Sequence, residues 1–216
     1  MIKTSDLKKE LKSEMSGILR NYNYSPMRGD VDFFSKFGKD TSYFSIQISS
    51  HPSGHNIFSW VSFRYDDIEN LIIQLNGGSI TDGRNRPTLH AEMHDIVGRD
   101  INIYSISEFS EIKSCAARIL EFFIESAIPF IKHISNMKYA FSLIMNGNRR
   151  NIIAGAGSMK AIRITTIAHM IGEINYRDII INEYMDKFKK YNSRALSEYE
   201  VFINKLLNMD NKLPIM

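Results

Sequence analysis

The chain has 216 residues and a net charge of +3; hydrophobic residues make up 44% of it and charged residues 24%. This composition is typical of a folded domain with a sizeable core and excludes an intrinsically disordered chain. The single cysteine, Cys115, excludes an internal disulfide bond and a cysteine-based zinc site. Because Cys115 stands in an apolar helical run, we expect a buried hydrophobic side chain and not a nucleophile.

The first predicted element is a helix over residues 5–21, capped by Thr4 or Ser5. Its apolar residues recur at helical spacing and form one stripe, Leu7, Leu11, Met15, Ile18 and Leu19. The N-terminus lacks the apolar segment of a secretory signal, and no later stretch has the length to span a bilayer. We therefore expect a cytoplasmic protein.

Between residues 30 and 106 the apolar period changes to two and turn residues recur, which predicts antiparallel strands. The predicted strands are residues 30–37, 41–50, 57–65, 89–97 and 101–106. A helix over 66–76 and a long polar loop over 76–88 interrupt them. His51 and His55 stand in a turn with proline and glycine, where we expect solvated side chains.

After residue 107 the pattern is helical throughout, and Pro129 is expected to kink or break the helix that runs to about residue 134. The sequence thus predicts an α+β fold. A helix packs on an N-terminal antiparallel sheet of four or five strands, and a C-terminal helical bundle follows. The predicted division is a sheet subdomain, 1–106, and a helical subdomain, 107–216, forming one compact unit.

The stretch "AGAGSMK" (154–160) resembles a phosphate-binding loop only superficially. It lacks the Gly-Lys-Ser/Thr ending of one nucleotide motif and the third glycine of another. We interpret Gly155 and Gly157 as a connection between helices and Ser158 as the cap of the next helix. No cofactor is predicted.

His90, Glu92 and His94 are the residues most suggestive of catalysis. On a strand over 89–97 the three side chains would project from one face, and two imidazoles with a carboxylate can bind a first-row metal. A metal-dependent enzyme is therefore the alternative function. The favoured interpretation is a polar, solvent-facing side of the strand, with no metal bound.

Nucleic-acid binding is a further alternative, because aromatic and basic residues interleave in the first strands. The aromatic residues are Phe33, Phe34, Phe37, Tyr43, Phe44, Phe58, Trp60, Phe63 and Tyr65. Acidic residues interrupt the charge, and alternating aromatics in strands mostly form core. The densest basic run is Lys187, Lys189, Lys190 and Arg194. We interpret it as a solvated helix face.

Two segments carry a family resemblance. The helix "LKKELKSEM" precedes the strands of "FFSKFGKDTSYFSIQISS", and "AIRITTIAHMIGEINYRDIIINEYMDKF" forms a helical hairpin near the end. This order resembles a bacterial family of domains of unknown function that are encoded beside toxin genes. The resemblance implies an immunity protein of a polymorphic or contact-dependent growth-inhibition system. Such a protein is not an enzyme, and it binds a cognate toxin domain and blocks its active site.

The polar loop over 76–88 is the predicted partner-binding site. Loops of this length within compact domains are often functional. Asp82, Arg84 and Arg86 place charges of both signs close together in it, and complementary charges steer protein association. These three residues are our candidates for contact with the toxin.

Overall fold

The computed structural model of the protein describes residues 2–79, 86–98, 104–146 and 150–210. The fold is α+β, as predicted. The strands in these ranges are Ser25–Pro26 (β1), Val31–Phe37 (β2), Asp40–His51 (β3), Gly54–Arg64 (β4), Leu89–Glu92 (β5) and Tyr104–Ile106 (β6). The α-helices are Thr4–Arg20 (α1), Asp66–Leu75 (α2), Met93–Val97 (α3), Ile112–Phe122 (α4), Ile128–Ile134 (α5), Met137–Asn146 (α6), Gly157–Met170 (α7), Ile174–Tyr191 (α8) and Ser193–Asp210 (α9).

The residues group into two compact units. The sheet unit comprises residues 1–63 and 90–136, and the helical unit comprises residues 64–89 and 137–216. These groups differ from the predicted division between residues 106 and 107. Helix α4 packs against α1 within the sheet unit, whereas α2 packs against α7 and α9 within the helical unit.

The antiparallel sheet has the strand order β1-β2-β3-β4-β5, and β6 pairs with β4 as well. The described part of the sheet thus has six strands where four or five were expected. In the β2–β3 register Phe33 lies opposite Phe44 and Phe34 opposite Tyr43. Phe33 and Phe44 are fully buried, whereas Phe34 and Tyr43 are half-buried. Successive side chains point to opposite faces of a strand, so only one of the two pairs belongs to the core face.

Helix α1 supplies its predicted stripe to the core, with one exception. Leu7, Leu11, Met15 and Leu19 are completely buried, whereas Ile18 is 42% exposed. The predicted cap is wrong, because Lys3 is the N-cap residue and no side chain caps the helix. The Thr4 hydroxyl instead hydrogen bonds to the Ser50 hydroxyl at 2.9 Å.

Pro129 does not break its helix. The chain is helical from Ile112 to Ile134, and residues Phe123–Ala127 form a π-helical turn just before the proline. Proline has no N–H for the carbonyl four residues earlier, and its ring crowds that carbonyl. A π turn is the local widening of a helix that accommodates such a defect. Phe123 at its start packs against the Phe44 ring at 4.5 Å between centroids.

Helix α7 is the centre of the helical unit. It packs against α2, α6, α8 and α9, and all residues from 161 to 168 are buried. Burial on every side is typical of a helix at the centre of a bundle. The two threonines within it hydrogen bond back to the carbonyls of Ala161 and Ile162 at 2.8 and 2.7 Å, so burial leaves neither hydroxyl unpaired.

Candidate functional site

The predicted partner-binding residues are only partly within the described structure. Asp82 and Arg84 lie outside the described residues. Arg86 is exposed, and its backbone carbonyl accepts a hydrogen bond from the Arg64 guanidinium at 3.0 Å. The assignment of partner binding to this loop therefore stays a prediction.

His90, Glu92 and His94 do not share one strand, so the premise of the metal site is wrong. Strand β5 ends at Glu92, and helix α3 begins at Met93. Glu92 and Asp95 form a reciprocal capping box at the start of this helix, which the strand interpretation overlooked. No group of three or more His, Cys, Asp or Glu side chains within the described ranges could hold a metal ion.

The two histidines have separate surroundings. His90 Nδ1 lies 3.0 Å from the Ser62 hydroxyl, and its ring lies 5.3 Å from the ring of Trp60. Burial lowers the pKa of His90, and the carboxylates of Glu92 and Asp95 oppose that shift. The His94 side chain is 55% exposed and lies 3.4 Å from the same two carboxylates. His90 is therefore packed against its neighbours, whereas the His94 side chain is exposed to solvent.

Of the two glycines in "AGAGSMK", Gly155 lies against a buried side chain, whereas Gly157 has open space around it and begins α7 at a φ of +55°. Gly155 has a φ of +90°, and a Cβ there would lie 2.8 Å from Arg163 Nη1. The buried Arg163 guanidinium donates to both carboxylate oxygens of buried Glu69, at 2.8 and 3.0 Å, and to the Ala154 carbonyl at 2.7 Å. The predicted Ser158 cap is wrong, because its hydroxyl donates to Glu198 Oε2 at 2.6 Å and caps nothing.

Cys115 is buried, as predicted, and burial raises the pKa of its thiol to about 11. A thiol with that pKa is almost entirely protonated at neutral pH and is a poor nucleophile.

The aromatic residues of the first strands do not all lie on the surface. Phe33, Phe44, Phe63 and Tyr65 are buried, which removes four of the nine from any stacking surface.

A groove in the helical unit was not predicted from the sequence. Its volume is about 510 Å³, and it lies between the start of α7 and the second half of α8. The lining residues are Gly157, Lys160, Glu183, Tyr184, Lys187, Phe188, Tyr191 and Asn192. We call it the lysine groove.

Tyr184 and Phe188 form the floor of the lysine groove and belong to an aromatic cluster beneath it. The rings of Tyr184 and Phe188 lie 5.6 Å apart, and Tyr199 of α9 lies 6.2 and 5.7 Å from them. The Tyr199 hydroxyl lies 2.6 Å from the Thr165 hydroxyl of α7. Burial raises the pKa of Tyr199. The floor thus packs against α9, and the Tyr199 hydroxyl has a hydrogen-bond partner in α7.

Three charged residues line the groove, the cations Lys160 and Lys187 and the carboxylate Glu183, and the neighbouring Lys190 adds a third cation outside the lining. Lys187 Nζ lies 5.9 Å from the centre of the Tyr184 ring, and Lys190 Nζ lies 5.0 Å from the centre of the Tyr191 ring. Tyr191 is 71% exposed. Asn192 ends the rim, and its side-chain oxygen accepts a hydrogen bond from the Ala195 N–H at the start of α9.

The sequence contained a signal for this groove. Tyr184, Phe188 and Tyr191 recur at spacings of four and three, and the lysines of the densest basic run stand between them. The sequence interpretation took that run for a solvated helix face. What it could not foresee is that α7 and α9 close the aromatic residues into a floor.

Comparisons with known proteins identified no relative of this chain. No family model matches the chain, and no curated protein or solved structure matches it.

In the described part of the chain no helix combines the length and the apolar character that crossing a bilayer requires.

Proposed function

We propose that the protein is a non-enzymatic binding protein that neutralises a cognate toxin domain in the cytoplasm of the producing bacterium. The lysine groove would receive an acidic segment of that toxin. The observation that carries this proposal is the groove itself, since a packed aromatic floor with more lysine than carboxylate around it has the chemistry of a protein-binding surface. The toxin as partner rests on the family resemblance of the sequence.

Tyr191 is the expected energetic centre of binding. Tyrosine is enriched among the few residues that dominate protein interfaces, because it buries a large rigid surface and keeps a hydroxyl for hydrogen bonding. Its ring is 71% exposed in the free protein and stands beside a groove that is already formed. Binding would bury this ring with little rearrangement of the floor.

The lysines are expected to act mainly on association. Lys187 in the groove lining and Lys190 beside the exposed Tyr191 hold positive charge over aromatic rings, where an approaching acidic segment meets them first. Steering between complementary charges raises the association rate and weakens as salt screens it. Because both amines are solvated, each should contribute less to the lifetime of the complex than Tyr191.

The experiment measures binding of the toxin domain encoded beside this gene to immobilised protein by surface plasmon resonance. Tyr191→Ala should weaken binding about 30-fold, the equivalent of about 2 kcal/mol. Lys187→Glu should slow association and flatten its salt dependence. Lys189→Glu is the matched control, because Lys189 is an exposed lysine of the same helix that does not line the groove.

Further measurements distinguish a wrong assignment of the binding site from a wrong assignment of the function. If replacing Asp82, Arg84 and Arg86 by alanine abolishes toxin binding while the groove variants bind normally, the loop is the site and the groove assignment is wrong. If the wild type neither binds nor protects cells from the toxin, the immunity proposal is wrong. Binding of single-stranded DNA at physiological salt that is lost in Lys187→Glu would favour a nucleic-acid function instead.

A further inference from the structure

The hairpin between α7 and α8 exposes apolar side chains on the surface of the helical unit. Met170, Ile174, Tyr176 and Ile179 are between 41% and 57% exposed. Single exposed apolar residues are ordinary on a protein surface, but four of them within ten residues are a local concentration of the kind that interaction sites show.

A shallow cleft of about 170 Å³ adjoins this hairpin, formed by α6 and the connection into α8. We call it the hairpin cleft; its lining residues are Lys138, Phe141, Ser142, Met145, Asn146, Ile171, Glu173 and Tyr176. The Tyr176 ring packs edge-on against the Phe141 ring with 5.8 Å between centroids. Ile179 follows Tyr176 by three residues on α8, so the two side chains are neighbours on the helix surface.

The hairpin cleft carries one charge of each sign. Lys138 and Glu173 both line it and are both exposed. Neither side chain forms an ion pair with any residue in the described ranges. The cleft thus presents a cation and a carboxylate, each available to a partner, around an apolar centre.

We propose that the hairpin cleft binds a second copy of this chain in a twofold-symmetric dimer. In a twofold interface residue i of one protomer contacts residue j of the other, and j contacts i. A patch with one lysine and one glutamate can therefore pair with itself twice, Lys138 with the partner's Glu173 and Glu173 with the partner's Lys138. The apolar side chains of the hairpin pack between these two pairs.

The charges argue for a second copy over an unrelated partner. A strongly acidic partner would satisfy Lys138 and be repelled by Glu173, and a strongly basic partner would have the opposite mismatch. Self-association satisfies both charges with the same patch. The cleft is small, so the dimer should be weak and should dissociate in the micromolar range.

The test is sedimentation velocity of the full chain from low micromolar to submillimolar concentration. The wild type should dimerise. Lys138→Glu should weaken the dimer at least about tenfold, because a glutamate would then face Glu173 at both symmetric contacts. Glu173→Lys should do the same. The double variant Lys138→Glu/Glu173→Lys should restore dimerisation, since the pairs reform with exchanged signs.

Lys189→Glu is the control for the change in net charge and should dimerise as the wild type does. Circular dichroism checks that each variant folds, as expected for substitutions of exposed side chains. A wild type that stays monomeric at every concentration overturns the proposal. So does a double variant that stays as weak as the single variants, because the pairing of Lys138 with the partner's Glu173 then does not exist.

Discussion

Replacing Arg163 by methionine tests how much the buried ion pair with Glu69 contributes to the helical unit. Glu69 is 1% exposed, and the buried guanidinium of Arg163 donates a hydrogen bond to each of its carboxylate oxygens, at 2.8 and 3.0 Å. Arg163→Met leaves this carboxylate buried without its cation and leaves the Ala154 carbonyl without its guanidinium donor. Removing one partner of a buried pair costs about 3–5 kcal/mol.

That cost corresponds to a fall in melting temperature of about 6–20 °C, since 1 kcal/mol shifts the transition of a chain of this size by about 2–4 °C. The double variant Glu69→Leu/Arg163→Met should be more stable than Arg163→Met alone. It buries no unpaired charge, and the remaining loss is one hydrogen bond to the Ala154 carbonyl, about 1–3 kcal/mol. The two substitutions should therefore be strongly non-additive.

Urea unfolding followed by far-ultraviolet circular dichroism measures both changes. Arg194→Met is the matched control, because the Arg194 side chain is 90% exposed and its ion pair with Glu198 lies on the surface. We expect it to change the free energy of unfolding by less than about 1 kcal/mol. The reasoning fails if Arg163→Met costs as little as this control, or if the double variant is as unstable as the single one.

Three further predictions concern single residues. Gly155→Ala should lower the melting temperature, because the added methyl meets a backbone strained at φ +90° and Arg163 Nη1 at 2.8 Å; Gly17→Ala, in open space on α1, should raise it. Cys115, with a pKa of about 11, should react with a disulfide reagent at pH 8 far more slowly in the native protein than in urea; equal rates would contradict its burial. Burial holds the pKa of His90 below 6.5, so its contribution to stability is present above pH 6.5 and is lost as the pH falls towards the lowered value; His90→Gln should weaken this pH dependence of urea unfolding, and an unchanged dependence would be evidence against it.

Local patterns predicted the local elements well. The stripe of Leu7, Leu11, Met15 and Leu19 specified α1, and the alternation in residues 30–65 specified the strands of the sheet, because each pattern depends on a few neighbouring residues. Helix α3 was missed although its signal is local. Glu92 and Asp95 stand three residues apart as a capping box, and Gly98 ends the helix at φ +70°.

Long-range partners could not be predicted from one sequence. His55 was expected to be solvated in a turn, yet it is buried, with Nδ1 2.9 Å from the Ser50 hydroxyl and Nε2 2.9 Å from the Ile2 carbonyl. Glu69 and Arg163 are 94 residues apart and gave no signal of their contact. The lysine groove depends in the same way on α7 and α9 closing around the aromatic residues of α8. The candidate site was thus less predictable than the fold.

The interleaving of the two units determines the order in which the chain can assemble during synthesis. The segment 64–89, which carries α2, leaves the ribosome before most of its neighbours in the helical unit exist. Glu69 cannot form its ion pair until Arg163 has been translated, 94 residues later. The residues that complete the sheet unit, 90–136, emerge in that interval. Synthesis of the helical unit therefore starts before synthesis of the sheet unit is complete, and it finishes afterwards.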